Sequence, residues 1–182
     1  MNTVLTVRRF DALGHLDTPL GPLRLAASAR GLAGVWFDGQ AHHPGPLETA
    51  AAKAAQRDAA LAHIAQAMHE LRAYFDGGAA MFEVALDPAG TDFQQAVWRA
   101  LRTIAPGGIS SYAAVARAVG RPAAVRAVGA AVGRNPLTII VPCHRVLGSD
   151  GSLTGYAGGL ERKRALLAHE QVRRGTPVAQ AA

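Results

Sequence analysis

The sequence predicts two domains: an α/β domain with a small sheet over residues 1–87, then a mostly helical domain over residues 88–182. Three observations carry this reading. Short β-like runs and one long alanine-rich tract fill the first half. Short helical segments punctuated by Gly and Pro fill the second. Charge divides between them, with a net of −2 over residues 1–90 and +8 over residues 91–182, within a total of +6. A chain of 182 residues, 49% of them hydrophobic, can bury a core without disulfides or a metal.

The first-half elements follow in order. "GPLRLAAS" (21–28) and "GLAGVWFDG" (31–39), separated by a turn-like "ARG", predict a hairpin. "HHPGP" (42–46) predicts a loop. From about Glu48 to Phe75 the spacing predicts one or two helices, with Leu61, Ile64, Met68, Leu71 and Phe75 on the inner face. The glycines of "FDGG" (75–78) stop it. "MFEVALD" (81–87) alternates like a strand, and the turn-rich "DPAGTD" (87–92) marks the boundary.

In the second half, Thr91 or Asp92 N-caps a helix with Phe93, Val97, Leu101 and Ile104 on one face. "APGG" (105–108) ends it. Ser110 or Ser111 caps "YAAVARAVG", which Gly120 stops. Pro122 suits the first turn of a third helix, "PAAVRAVGAAVG". Two short helices joined this tightly are a helix-turn-helix signal. The small residues of the third helix suit either close approach to a groove or tight packing in a core. Pro136 and Pro142 keep "RNPLTIIVP" (134–142) out of helix. "LERKRALLAHEQ" (160–171) predicts a last helix, and "TPVAQAA" a frayed tail. No internal repeat is present.

One cysteine, Cys143, excludes an internal disulfide and a four-cysteine zinc site, and points to a reducing compartment. The first residues lack the apolar core of a secretory signal, and no apolar run reaches bilayer length. The expectation is a soluble cytoplasmic protein. The basic half suggests a polyanionic partner such as nucleic acid. An arginine bias from a GC-rich genome is the alternative, but it would not sort itself by halves.

Cys143 lies between Pro142 and His144, ahead of a polar glycine loop, "GSDGSLTGYAGG" (148–159). A lone cysteine is often a small hydrophobe. A neighbouring base or cation, here His144 and Arg145, is what turns such a thiol into a nucleophile. On residues alone, a Cys-His hydrolase and a helix-turn-helix DNA-binding regulator with a structural cysteine both stay open.

The run "VPCHRV" (141–146), preceded by "ISSYAAVARAVG" and "RAVGAAVGRNP", closely resembles the O6-alkylguanine–DNA alkyltransferases, or methylated-DNA–protein-cysteine methyltransferases. The match runs from about Phe93 to Glu170, and "TPLGPLRLAASARGLAGVWF" (18–37) is similar to the N-terminal hairpin of bacterial members. The resemblance implies a ribonuclease H-like sheet domain followed by a winged helix-turn-helix-type domain. It implies single-turnover transfer of an alkyl group from O6-alkylguanine in flipped-out duplex DNA, with O4-alkylthymine as a second candidate substrate. Cys143 would be the acceptor, His144 the base acting through a water, and Glu170 its orienter. Tyr112 would donate to the departing guanine. Arg126 matches the arginine that fills the hole in the duplex. Ser111, Tyr112, Ala127 and Asn135 complete the DNA-contacting set, with Asn135 tying the recognition turn to the cysteine strand. Val146, Tyr156, Ala157 and Gly158 would form the base pocket, and Ala157 stands where some members carry Ser. No cofactor is expected. Some members hold zinc through N-terminal cysteines; this chain has none there, its histidines (His15, His42, His43, His63, His69) are scattered, and no metal is expected. The protein is expected to act as a monomer, with duplex DNA as its partner.

Overall fold

The structure is a computed structural model and describes residues 8–78 and 81–173. The tail from Thr176 on lies outside the described residues. The chain divides into two compact units between Ala89 and Gly90.

In the first unit, strands β1 (Arg8–Phe10), β2 (Ala12–Leu16), β3 (Leu23–Ser28), β4 (Gly31–Phe37) and β5 (Leu47–Thr49) precede one long helix, α1 (Ala54–Phe75). β2, β3 and β4 form an antiparallel sheet in that order, and β1 pairs with β5 in parallel. The expected hairpin is β3–β4, turning through Ala29 and Arg30. Its corner is tied down by Asp87, which accepts from Ser28 Oγ (2.6 Å) and from the Arg30 guanidinium (3.0–3.2 Å).

α1 packs on this sheet, but its inner face is rotated from the one expected. Ala60, Ile64, Ala67, Leu71 and Tyr74 are buried, while Leu61 is 46% exposed. The reason is close approach. A Cβ on Gly14 in β2 would lie 2.6 Å from Ile64 and 3.7 Å from Met68, so the missing side chain there is what lets this face of the helix seat on the sheet. The helix also starts later than expected, because Leu47–Thr49 pairs with Arg8–Phe10 instead of joining it. The strand expected over 81–87 is reduced to a single bridge, Leu32 to Leu86. The amides of Glu83 and Val84 bond the Glu70 carboxylate rather than a neighbouring strand.

The second unit comprises α2 (Asp92–Arg102), strand β6 (Ser110–Ser111), α3 (Tyr112–Ala118), α4 (Val125–Gly133), a 3-10 turn (Cys143–Arg145), strand β7 (Val146–Leu147) and α5 (Leu160–Arg173). Thr91 caps α2 in a reciprocal box with Gln94, and Ser111 caps α3 through the amide of Ala114. Gly120, at φ +69°, ends α3 in the left-handed region, and the amide of Arg121 reaches back to Ala116. α4 begins three residues later than expected. Pro122 and Ala123 occupy a turn closed by the Ala124 amide on Arg121, the position proline favours in a β-turn. Val97, Trp98 and Leu101 of α2 are buried, and Trp98 Nε1 donates to the carbonyl of Ala131 (2.9 Å), pinning α2 to α4. The two strands, β6 and β7, pair in parallel. No helix among the described residues is long and apolar enough to cross a membrane.

Candidate active site

Cys143 opens the 3-10 turn that follows the non-helical run 134–142; the segment carrying it is not a strand. The residue is 4% exposed. Burial pushes its thiol pKa up, and three influences oppose that: the Asn135 side chain, the Lys163 charge and nearby backbone amides. Asn135 is itself buried. Its Nδ2 donates to Cys143 Sγ (3.1 Å) and to the carbonyls of Val141 (2.8 Å) and Leu137 (3.4 Å), while its Oδ1 accepts from the Leu137 amide (3.0 Å). One amide side chain at the end of α4 therefore ties both the sulfur and the chain that carries it.

His144 and Glu170 are fully enclosed, with His144 Nε2 2.8 Å from Glu170 Oε1. Burial lowers the His144 pKa, against the pull of Glu170, so the ring is neutral. Burial alone would raise the Glu170 pKa, but hydrogen bonds from His144, Arg145 and the Gly107 amide outweigh it and hold the carboxyl ionised. A carboxylate only accepts. His144 Nε2 must therefore carry the proton, which leaves the lone pair on Nδ1. That Nδ1 is buried and has no hydrogen-bond partner. The tautomer thus follows from the carboxylate, and it presents a free base inside the protein.

Arg145 turns away from the sulfur. Its Nε and Nη2 clamp Glu170 in a bidentate pair (2.8 Å each), and Nη1 donates to the Ile104 carbonyl. The cation beside Cys143 in sequence orients the carboxylate, not the thiol. The cation that acts on the thiol is Lys163, which sequence reading missed. It is fully buried in α5, with Nζ donating to the carbonyls of Val146 (2.6 Å), Thr154 (2.7 Å) and Gly155 (3.5 Å). Its burial lowers its pKa, and Cys143 opposes that. A signal did exist. Lys163, Leu166, Leu167 and Glu170 are spaced as one helical stripe, and all four are buried.

The Tyr112 hydroxyl, at the start of α3, donates to the carbonyls of Thr154 (3.3 Å) and Gly155 (3.4 Å), two of the groups that Lys163 holds. Tyr156 Oη lies 2.9 Å from Thr138 Oγ1, and burial raises the Tyr156 pKa. Val146 and Gly158 are buried, and Ala157 half-buried. Arg126 and Ala127 are exposed on α4. The fold thus buries two hydrogen-bonded groups that adjoin in sequence, Asn135 with Cys143 and Glu170 with His144 and Arg145, sets Tyr112 on the glycine loop, and leaves Arg126 on the surface. Among the described residues no group of three or more His, Cys, Asp or Glu is placed to hold a metal ion.

Comparison with known proteins identifies the family of the chain. Family models for the 6-O-methylguanine DNA methyltransferase ribonuclease-like domain and DNA binding domain match residues 13–88 and 92–172. The methylated-DNA–protein-cysteine methyltransferase of Mycobacterium tuberculosis H37Rv is 46% identical over 158 residues, 87% of this chain and 91% of the relative. That of Methanosarcina barkeri is 43% identical over 157 residues, 86% and 94%. The crystal structure of M. tuberculosis OGT in complex with DNA superposes with a TM-score of 0.76 at 42% identity, covering 95% of this chain and 96% of that one. The family models cover most of each unit, and Cys143, Asn135, His144, Arg145, Lys163 and Glu170 all fall inside them; the chain belongs to the 6-O-methylguanine DNA methyltransferase family.

Proposed function

We propose that this protein repairs O6-alkylguanine in duplex DNA by moving the alkyl group to its own Cys143, once per chain. The observation that carries this is the buried His144–Glu170 pair: an ionised Glu170 fixes the proton on His144 Nε2 and leaves Nδ1 free to take a proton, next in sequence to a thiol that burial keeps protonated. The thiol proton passes to His144 through a water. The thiolate, favoured by Asn135 and Lys163, attacks the alkyl carbon. The S–C bond forms as the C–O6 bond breaks, and its electron pair leaves on guanine O6. Tyr112 supplies the departing base with a hydrogen bond or proton.

An O6 atom inside a base stack is out of reach of a buried sulfur, so the nucleotide must flip out. The α3–turn–α4 pair serves as a helix-turn-helix, with Ser111, Tyr112, Arg126 and Ala127 toward DNA. Arg126 has the exposure needed to occupy the vacated stack. Val146, Tyr156, Ala157 and Gly158 line the base pocket. The chemistry belongs to residues 88–182, and residues 1–87 form the sheet domain, with O4-alkylthymine a second substrate for the same pocket.

The test is mass spectrometry after incubation with excess duplex carrying O6-methylguanine. One added methyl on the peptide containing Cys143 is expected, and none in Cys143→Ala, which still binds the duplex. Repeated turnover, or methyl on another residue, would overturn the reading.

A further inference from the structure

The seven residues between Asn135 and Cys143 contain a backbone conformation that demands a cause. Ile139 has φ +71°, in the left-handed region, and its side chain is 1% exposed. A β-branched residue there is a steric outlier, since its Cβ crowds the backbone. The hydrogen bonds name the turn. The Ile140 amide donates to the Thr138 carbonyl (2.9 Å), two residues back, which makes Ile139 the centre of a γ-turn with positive φ, the rarer and strained form. A second i to i+2 bond, Cys143 amide to Val141 carbonyl (2.8 Å), spans Pro142 at φ −79°, ψ 60°, the relaxed form of the same turn. A strained residue persists where its surroundings over-determine it.

Two anchors flank the strained turn. On one side the Thr138 hydroxyl holds the Tyr156 hydroxyl. On the other, Asn135 holds the Val141 carbonyl and the Cys143 sulfur. The Val141 amide closes the loop onto the Leu137 carbonyl (2.8 Å). Relaxing Ile139 to an extended φ would lengthen the 138–141 span and shift the sulfur relative to Tyr156. We propose that the left-handed turn at Ile139 is a positioning element, setting the distance between the nucleophilic sulfur and the tyrosine wall at Tyr156. This rests on the alkyl-transfer reading above.

Two substitutions separate strain from side-chain packing. Ile139→Ala and Ile139→Gly both delete the buried side chain, but only glycine takes positive φ freely. Ile139→Val keeps the branched side chain and serves as the folded reference. The glycine variant is expected to melt above the alanine variant, the reverse of the usual order of these residues. Glycine keeps the turn while alanine is driven toward an extended φ, so single-turnover transfer by the alanine variant at saturating duplex should fall about tenfold below that of the glycine variant, because small misplacements of reacting atoms are costly. The duplex concentration giving half-maximal rate should stay unchanged. An alanine variant at least as stable as glycine would show that the turn is not strained. An alanine variant that transfers as fast as the glycine variant, or a glycine variant that unfolds while Ile139→Val folds, would remove the positioning role. A wild-type protein that accepts no methyl would instead overturn the transfer reading itself, and the positioning with it.

Discussion

In the sheet unit the interior includes Leu23, Leu25, Leu32, Val35, Phe37, Leu71 and Tyr74, and the one buried polar side chain among its described residues, Gln40, caps its own turn by accepting from the Phe37 amide. In the helical unit the buried set includes Asn135, Thr138, His144, Arg145, Lys163 and Glu170. The first interior is held together by removing apolar surface from water. The second gives up that advantage around its cysteine, since burying charges costs more than their attraction returns unless every bond is made. A fold seeking only stability would fill both interiors alike. The difference marks where the chain has kept polar groups for chemistry.

The largest effect that probes this contrast is on Glu170. Glu170→Ala strands the Arg145 guanidinium and His144 ring without their acceptor, and should destabilise the helical unit by about 3–5 kcal/mol while abolishing transfer. In the sheet unit, Leu71→Ala should cost about 2–5 kcal/mol by a different route, an apolar cavity. The double variant Glu170→Leu with Arg145→Met distinguishes the two. Replacing both members of the pair by apolar groups should recover most of the stability in urea unfolding and none of the methyl transfer. A double variant as unstable as Glu170→Ala would mean that the pair is needed for the fold itself.

What the sequence made legible divides along the same line. Local signals worked where the deciding forces are local: Thr91 and Ser111 as caps, Gly120 as the stop of α3, the β3–β4 hairpin, and Cys143 in its loop. They failed where a distant element decides. The inner face of α1 depends on how closely Gly14 lets the helix approach. Arg145 was legible as a charge near the thiol, but its direction depends on Glu170, 25 residues on. Lys163 reads as one of several surface charges in "LERKR" until the glycine loop is folded over it. Ile139 reads as an ordinary β-branched residue in an extended run, and nothing in its neighbours' identity asks for positive φ.

The interiors should also differ in their response to pH. Burial lowers the His144 pKa from its ordinary 6.5, and bonds from His144 and Arg145 lower that of Glu170 from its ordinary 4.5 against its own burial. In both cases the unfolded chain takes up the proton first. Each group therefore contributes stability that is present above its ordinary pKa and lost as pH falls below it. Cys143 has the opposite sign: its raised pKa contributes stability that is lost as pH climbs past its ordinary 9.0. The melting temperature should fall as pH is lowered through 6.5, again through 4.5, and also above 9. His43 in the sheet unit is lowered by burial in the same direction as His144. The fall through 6.5 should therefore survive in His43→Gln and shrink in His144→Gln. The opposite pattern would place the acid-sensitive group in the sheet unit.

The smallest expected effect on stability belongs to Arg126. It lies exposed on α4, and its side chain makes no ion pair or hydrogen bond among the described residues. Arg126→Ala should leave the melting temperature unchanged, within the ~0.5 kcal/mol typical of surface substitutions. If Arg126 stands in for the flipped nucleotide, it works only when the substrate is a duplex. Stabilising the extrahelical base offsets an unstacking cost of a few kcal/mol, so single-turnover repair of O6-methylguanine in duplex DNA should slow by about 10²-fold. Reaction with the free base O6-methylguanine, which has no stack to leave, should stay within twofold of wild type. Equal slowing on both substrates would move Arg126 from the duplex to the buried network, and a changed melting temperature would do the same. A variant with unaltered stability and a rate loss confined to the duplex would separate the two tasks of the helical unit: a buried polar interior that carries out the transfer, and an exposed helix face that brings the base to it.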